Sequence, residues 1–73
     1  MDTKLIRQYQ VVTYWSDDDH AFIAEMPELP GCMSDGNTEA DARRNIQLIA
    51  QEWITRARYL GRELPTPKSL VTA

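Results

Sequence analysis

The side chains able to do chemistry here are carboxylates, one thiol and one imidazole, and they are unevenly placed. Between Ser16 and Ala42 stand eight acids, Asp17, Asp18, Asp19, Glu25, Glu28, Asp35, Glu39 and Asp41, with no Lys or Arg among them. Metal-dependent phosphodiester cleavage would need such carboxylates to converge on two ions ~4 Å apart. Asp17–Asp19, Glu25 and Asp35 are the candidates, but the first strand-like run, Tyr9–Trp15, contains no acid to supply a central ligand. Consecutive aspartates in a turn point in different directions, and no glycine or distal Glu completes a calcium loop. His20, the only histidine, reads as a solvated turn residue. Cys32, the only cysteine, has no second Cys or downstream His to activate it, so it reads as packing. No catalytic residue, metal or cofactor is expected.

Acids that do not react still attract. Opposite the acidic stretch, Arg43 to Arg62 holds five arginines (Arg43, Arg44, Arg56, Arg58, Arg62) against Glu52 alone, within a net charge of −3. An acidic end of this kind suits a basic partner. The candidate contacts are Asp17, Asp18, Asp19, Glu25, Glu28 and Asp35. The competing reading is solvated charged loops plus an ordinary polar helix face. Arginines near a helix C-terminus serve the dipole, and no aromatic ladder accompanies them for stacking on bases.

The elements that must position these acids follow from the pattern. Met1–Ile6 reads as a polar lead-in. Tyr9–Trp15, rich in β-branched and aromatic residues, predicts a strand. Both of its faces are partly apolar, which suits a sheet covered by a helix on one side and touched by something else on the other. Ser16–His20 predicts a hairpin turn and Ala21–Met26 the antiparallel second strand, ended by Pro27. Two prolines and two glycines then set the path from Pro27 to Gly36, with Leu29 as a local plug and Cys32–Ser34 as a short edge strand. Pro30, Gly31, Cys32, Gly36 and Thr38 are the architectural residues of this stretch.

Thr38 is the expected N-cap of a long helix, with Glu39 and Asp41 at its positive end. Ala42, Ile46, Ile49, Ala50, Trp53, Ala57 and Leu60 recur at steps of three and four as an apolar stripe. Arg44, Gln47, Gln51, Thr55, Arg58 and Arg62 form the polar one, and Gly61 is a natural C′ residue. Trp53 is expected at the centre of the sheet–helix core. Residues 62–73 are a proline-containing segment, extended at Leu64–Pro67 and able to form a short last strand.

The fold class is therefore α+β: a small antiparallel sheet packed by one long helix, as one domain over residues 1–73. A chain this short buries only ~60% of its unfolded surface, so homo-oligomerisation is the expected extra source of stability. No apolar run approaches the ~18 residues of a membrane span. With no secretory signal pattern and one unpaired thiol, the expected location is the cytoplasm.

The central stretch carries a more specific likeness. A strand ending in aromatics, an acidic turn and a second strand ending in Met26-Pro27 lead into Glu28-Leu29-Pro30-Gly31-Cys32. Gly36, Thr38, Ala42, Asn45 and Ile46 follow, then Leu64-Pro65 beyond the helix. Over about residues 8–68 this resembles the N-terminal domain of the HicB family of antitoxins. The resemblance implies a β-β-β-α-β arrangement of truncated ribonuclease-H-like form. It also implies a non-enzymatic role: binding and masking HicA, a small basic double-stranded-RNA-binding-type toxin that cleaves mRNA through a histidine. A homodimer or homotetramer is the expected assembly. Full-length members usually continue into a DNA-binding domain, whereas this chain stops at Ala73, so direct DNA binding is not expected. Members of the family also stand alone without an obvious toxin. The alternative function is therefore a self-associating domain with a regulatory role and no toxin.

Overall fold

The computed structural model describes residues 3–67, and the fold starts from two chain reversals. At the first, Asp17–His20 turn with His20 in the left-handed region at φ 50°. Ser16 supports the turn: its hydroxyl donates to Asp19 Oδ2 at 3.0 Å and accepts the Asp19 amide at 3.3 Å. At the second, the Pro27–Gly31 turn is closed by Leu29 N to Met26 O (2.9 Å) and Cys32 N to Leu29 O (2.9 Å), with Gly31 at φ 83°. Leu29 is fully buried as the expected plug, and Cys32 packs beside it in the core.

These reversals join β1 (Val12–Ser16), β2 (Ala21–Glu25) and β3 (Met33–Gly36) into one antiparallel sheet in the order β1-β2-β3. A single helical turn, α1 (Thr3–Ile6), precedes the sheet, and a long helix, α2 (Glu39–Tyr59), follows it. This is the α+β, β-β-β-α arrangement the pattern predicts. The last strand expected near the C-terminus falls on residues 68–73, outside the described residues.

Boundaries differ for identifiable reasons. β1 begins at Val12 and not at Tyr9, because Tyr9 is buried beneath the post-helix segment and its hydroxyl donates to the Pro65 carbonyl at 2.6 Å. β2 ends at Glu25, and β3 runs Met33–Gly36 instead of Cys32–Ser34, because Met26 and Cys32 belong to the turn that joins them. Ile6 is buried in the core cluster, so the stretch that reads as a polar lead-in ends in a helical turn with an apolar anchor.

Paired residues share a face and successive residues alternate. From the register, Thr13, Trp15, Phe22, Ala24, Ser34 and Gly36 face α2, where Trp15 and Phe22 meet edge to face at 5.1 Å. The helix spans ~31 Å. Thr38 caps it, its Oγ1 accepting the Asp41 amide at 3.0 Å. Gly61, at φ 73°, ends it in a Schellman turn, with Arg62 N on Ala57 O (2.8 Å) and Gly61 N on Arg58 O (3.1 Å).

The buried side of α2 is Ala42, Ile46, Ala50, Ile54 and Ala57. Trp53 is therefore not the central core residue. It is half-buried at the core's rim, and its indole N–H donates to the Pro30 carbonyl at 2.9 Å. An indole needs such a partner when buried, which favours the edge of a core over its middle. Ile54, absent from the expected stripe, takes the central place, while Leu60 is largely exposed.

Candidate partner-binding surface

α2 covers one face of the sheet. The other face, by the same register, presents Val12, Tyr14, Ile23, Glu25, Met33 and Asp35. Val12, Tyr14 and Met33, on the two edge strands, are 42%, 43% and 48% exposed and leave apolar and aromatic surface open to solvent. Ile23 is buried between its neighbours and floors a shallow groove lined also by Asp19, Met33 and Asp35. No outward strand position holds Lys or Arg.

The sheet brings three of the candidate acids together and sets the others apart. Glu25 lies in β2 and accepts a hydrogen bond from the Tyr14 hydroxyl across the β1–β2 pair. That bond stabilises the neutral phenol and raises the Tyr14 pKa, as do partial desolvation and the charges of Glu25 and Asp19. Asp19 thus acts on the same face although it belongs to the turn. Asp35 is exposed on β3 opposite Ile23, and its carbonyl is held by Asn45 Nδ2 at 2.8 Å.

Asp17 is turned back along its own strand, where it accepts the Trp15 indole N–H at 2.8 Å. Glu28 lies in the Pro27–Gly31 turn, its Oε1 accepting the Gln10 amide at 2.7 Å, and its charge acts on Tyr9. Asp18 is exposed at the hairpin tip. Asp17 and Asp19 therefore splay in opposite directions, and among the described residues no three acids, histidines or cysteines are placed to hold a metal ion.

The architectural residues act through backbone geometry. Gly36, at the end of β3, lies so close to the first turn of α2 that a Cβ would meet Ala42 N at 2.5 Å. Ser34 Oγ donates to the Ala42 carbonyl at 2.8 Å and ties the same strand to the same turn. Thr13 on β1 donates to the Glu39 carboxylate. Together these contacts set the helix across one face and leave the other open. The sequence reading expected a partly apolar second sheet face but did not name Val12, Tyr14 and Met33 as its exposed residues or Ile23 as its floor. Their signal was present, since apolar residues occupy alternate outward positions in all three strands.

Fold and surface together define a small α+β domain with one sheet face left open, on which apolar and acidic side chains are interspersed. Over residues 9–73 the chain matches the HicB-like antitoxin of bacterial toxin–antitoxin systems, and it belongs to that family. Membership points to a toxin–antitoxin role. Comparisons with curated proteins and with solved structures find no match. Among the described residues no helix is long and apolar enough to cross a membrane.

Proposed function

We propose that the chain acts, as a single domain of truncated ribonuclease-H-like kind in the cytoplasm, as an antitoxin that masks a small basic HicA-type toxin by covering it. The observation that supports this reading is the open sheet face, where Val12, Tyr14 and Met33 are exposed beside Asp19, Glu25 and Asp35 with no cation on the strands. Apolar residues supply affinity in an interface, and charges beside them steer encounter and exclude wrong partners. A toxin that grips RNA carries the opposite charge, so the surface it needs for RNA is the surface this face attracts. Inhibition is then occupancy, with no bond made or broken. Asp17, Asp18 and Glu28 add long-range attraction from outside the patch.

The test is capture of small basic proteins from the native host on the tagged chain, followed by binding kinetics with the captured partner. Neutralising Asp19, Glu25 and Asp35 together (to Asn, Gln and Asn) should slow association and flatten its salt dependence without lowering the thermal midpoint. Recovery of the chain's own oligomer alone would favour the stand-alone, self-associating reading. A captured toxin indifferent to the triple variant would move its site off this face.

A further inference from the structure

The helix side of the sheet is not wholly covered, because α2 packs on β3 and β2 far more than on β1. Trp15 is 48% exposed there, although its register turns it toward the helix. Phe22, its partner across the β1–β2 pair, is half-buried. The two rings meet edge to face at an interplanar angle of 71° and form one aromatic shelf.

Carboxylates flank the shelf along the strand. Asp17 Oδ1 accepts the Trp15 indole N–H at 2.8 Å. Two residues before Trp15, and ~7 Å from it on the same face, Thr13 donates to the carboxylate of Glu39, the first residue of α2. Residues 8–42 contain no Lys or Arg. Among the described residues the ion pair at the start of α2 joins Arg44 to Asp41, and Glu39 is held by the Thr13 hydroxyl instead. These bonds prepare the indole for contact. With its N–H satisfied, the ring can be covered without leaving a donor unpaired, and its orientation is set before any partner arrives.

The shelf lies on the opposite side of the sheet from Val12, Tyr14 and Met33, so the antitoxin surface does not use it. We propose that it is a second docking surface, one that takes an arginine side chain from an extended basic segment of a protein partner. A guanidinium stacks on an indole and pairs in its own plane with carboxylates at the sides, whereas an ammonium is a compact point charge. A neutral apolar partner would desolvate Asp17 and Glu39 without compensation, and an acidic one would be repelled. The proposal stands whether or not the open face binds a toxin.

The probe is a hexa-arginine peptide, with hexalysine as its match in charge. In a Trp53→Phe chain Trp15 is the one tryptophan left, and its emission should change saturably with hexa-arginine. Anisotropy of the labelled peptide gives the affinity on the otherwise native chain. Asp17→Asn with Glu39→Gln removes both charges but keeps both hydrogen-bond acceptors, and should weaken binding at least about fivefold. Trp15→Leu should weaken it as much, and hexalysine should bind at least about threefold less tightly than hexa-arginine. Neutralising Asp19, Glu25 and Asp35 removes more charge from the other side of the sheet, yet should cost less than the Asp17, Glu39 pair. Unchanged Trp15 emission, a Trp15→Leu chain that binds like wild type, equal affinity for the two peptides, or a larger loss from the triple variant than from the pair would each overturn the proposal.

Discussion

Replacing Gly36 with Ala should destabilise this domain far more than a methyl group ordinarily does. An ideal Cβ there would stand 2.5 Å from Ala42 N, 2.7 Å from Asp41 Cβ and 2.9 Å from the Asp41 carbonyl carbon, where ordinary contact begins near 3.4 Å. The obstructing atoms are mostly helix backbone, so no side chain can swing aside. That first turn is also held by the Thr38 cap, by Ser34 on Ala42 and by Asn45 on Asp35. Relief requires β3 and α2 to separate by about 1 Å, and overpacking of this kind costs ~1–3 kcal/mol. Total stability for 73 residues is ~4–11 kcal/mol, and each kcal/mol moves the midpoint by ~4–8 °C. Thermal and urea unfolding followed by circular dichroism would read the loss directly. Gly31→Ala is the control: Gly31 is left-handed at φ 83° with no atom within 4 Å of its Cβ position, so its cost is conformational, ~1–2 kcal/mol. A Gly36→Ala chain melting with the wild type would refute the close-approach argument and the strand–helix junction built on it.

Ile54→Ala should cost ~2–5 kcal/mol by opening a cavity in a fully buried site, whereas Trp53→Phe, which loses chiefly the bond to Pro30, should cost ~0.5–1.5 kcal/mol. The reverse order in urea titrations would put the indole back at the centre of the core. Burial raises the Tyr9 pKa first, and the Glu28 charge adds to it. The unfolded chain therefore gives up this proton before the folded one, and stability should fall as pH rises above the ordinary tyrosine value of 10.0. Tyr9→Phe should flatten that alkaline slope in melts run across pH, and an unaltered slope would assign it to another group. Burial also pushes the Cys32 thiol up. Its modification by a thiol reagent should track unfolding, and fast labelling of the native chain would contradict the packing described for it.

The features legible in the sequence were those that local chemistry decides. Thr38 had to cap because a hydroxyl before a helical pattern accepts a free amide, and Gly61 had to end the helix because the reversal demands positive φ. The aspartate turn and the proline turn were readable for the same reason. What escaped was decided by tertiary contact. Steps of three and four from Ala50 lead equally to Trp53 and Ile54, and only the size and N–H of the indole send it to the rim. Ile6 looked peripheral because nothing local distinguishes it, and packing against distant segments buries it. The acids appeared as one group along the chain, yet strand alternation and turn direction place Asp19, Glu25 and Asp35 on one face and send Asp17 and Glu28 elsewhere.

That partition bears on what the open face is for. Asp19, Glu25 and Asp35 lie on one side of a three-stranded sheet and repel one another, while the Tyr14 phenol donates to Glu25 and the Ser16 hydroxyl to Asp19. Exposed Val12 and Met33 beside them gain nothing from water. A domain this short has little stability to offset such a surface. The same residues become favourable once a cationic, partly apolar molecule covers them: repulsion turns to attraction and the apolar area leaves solvent. An antitoxin held in this state would be most stable when occupied, gaining ~2.7 kcal/mol at a free partner concentration a hundredfold above its dissociation constant. On the proposed reading, the acids that draw the toxin in would also tie the domain's stability to the presence of its target.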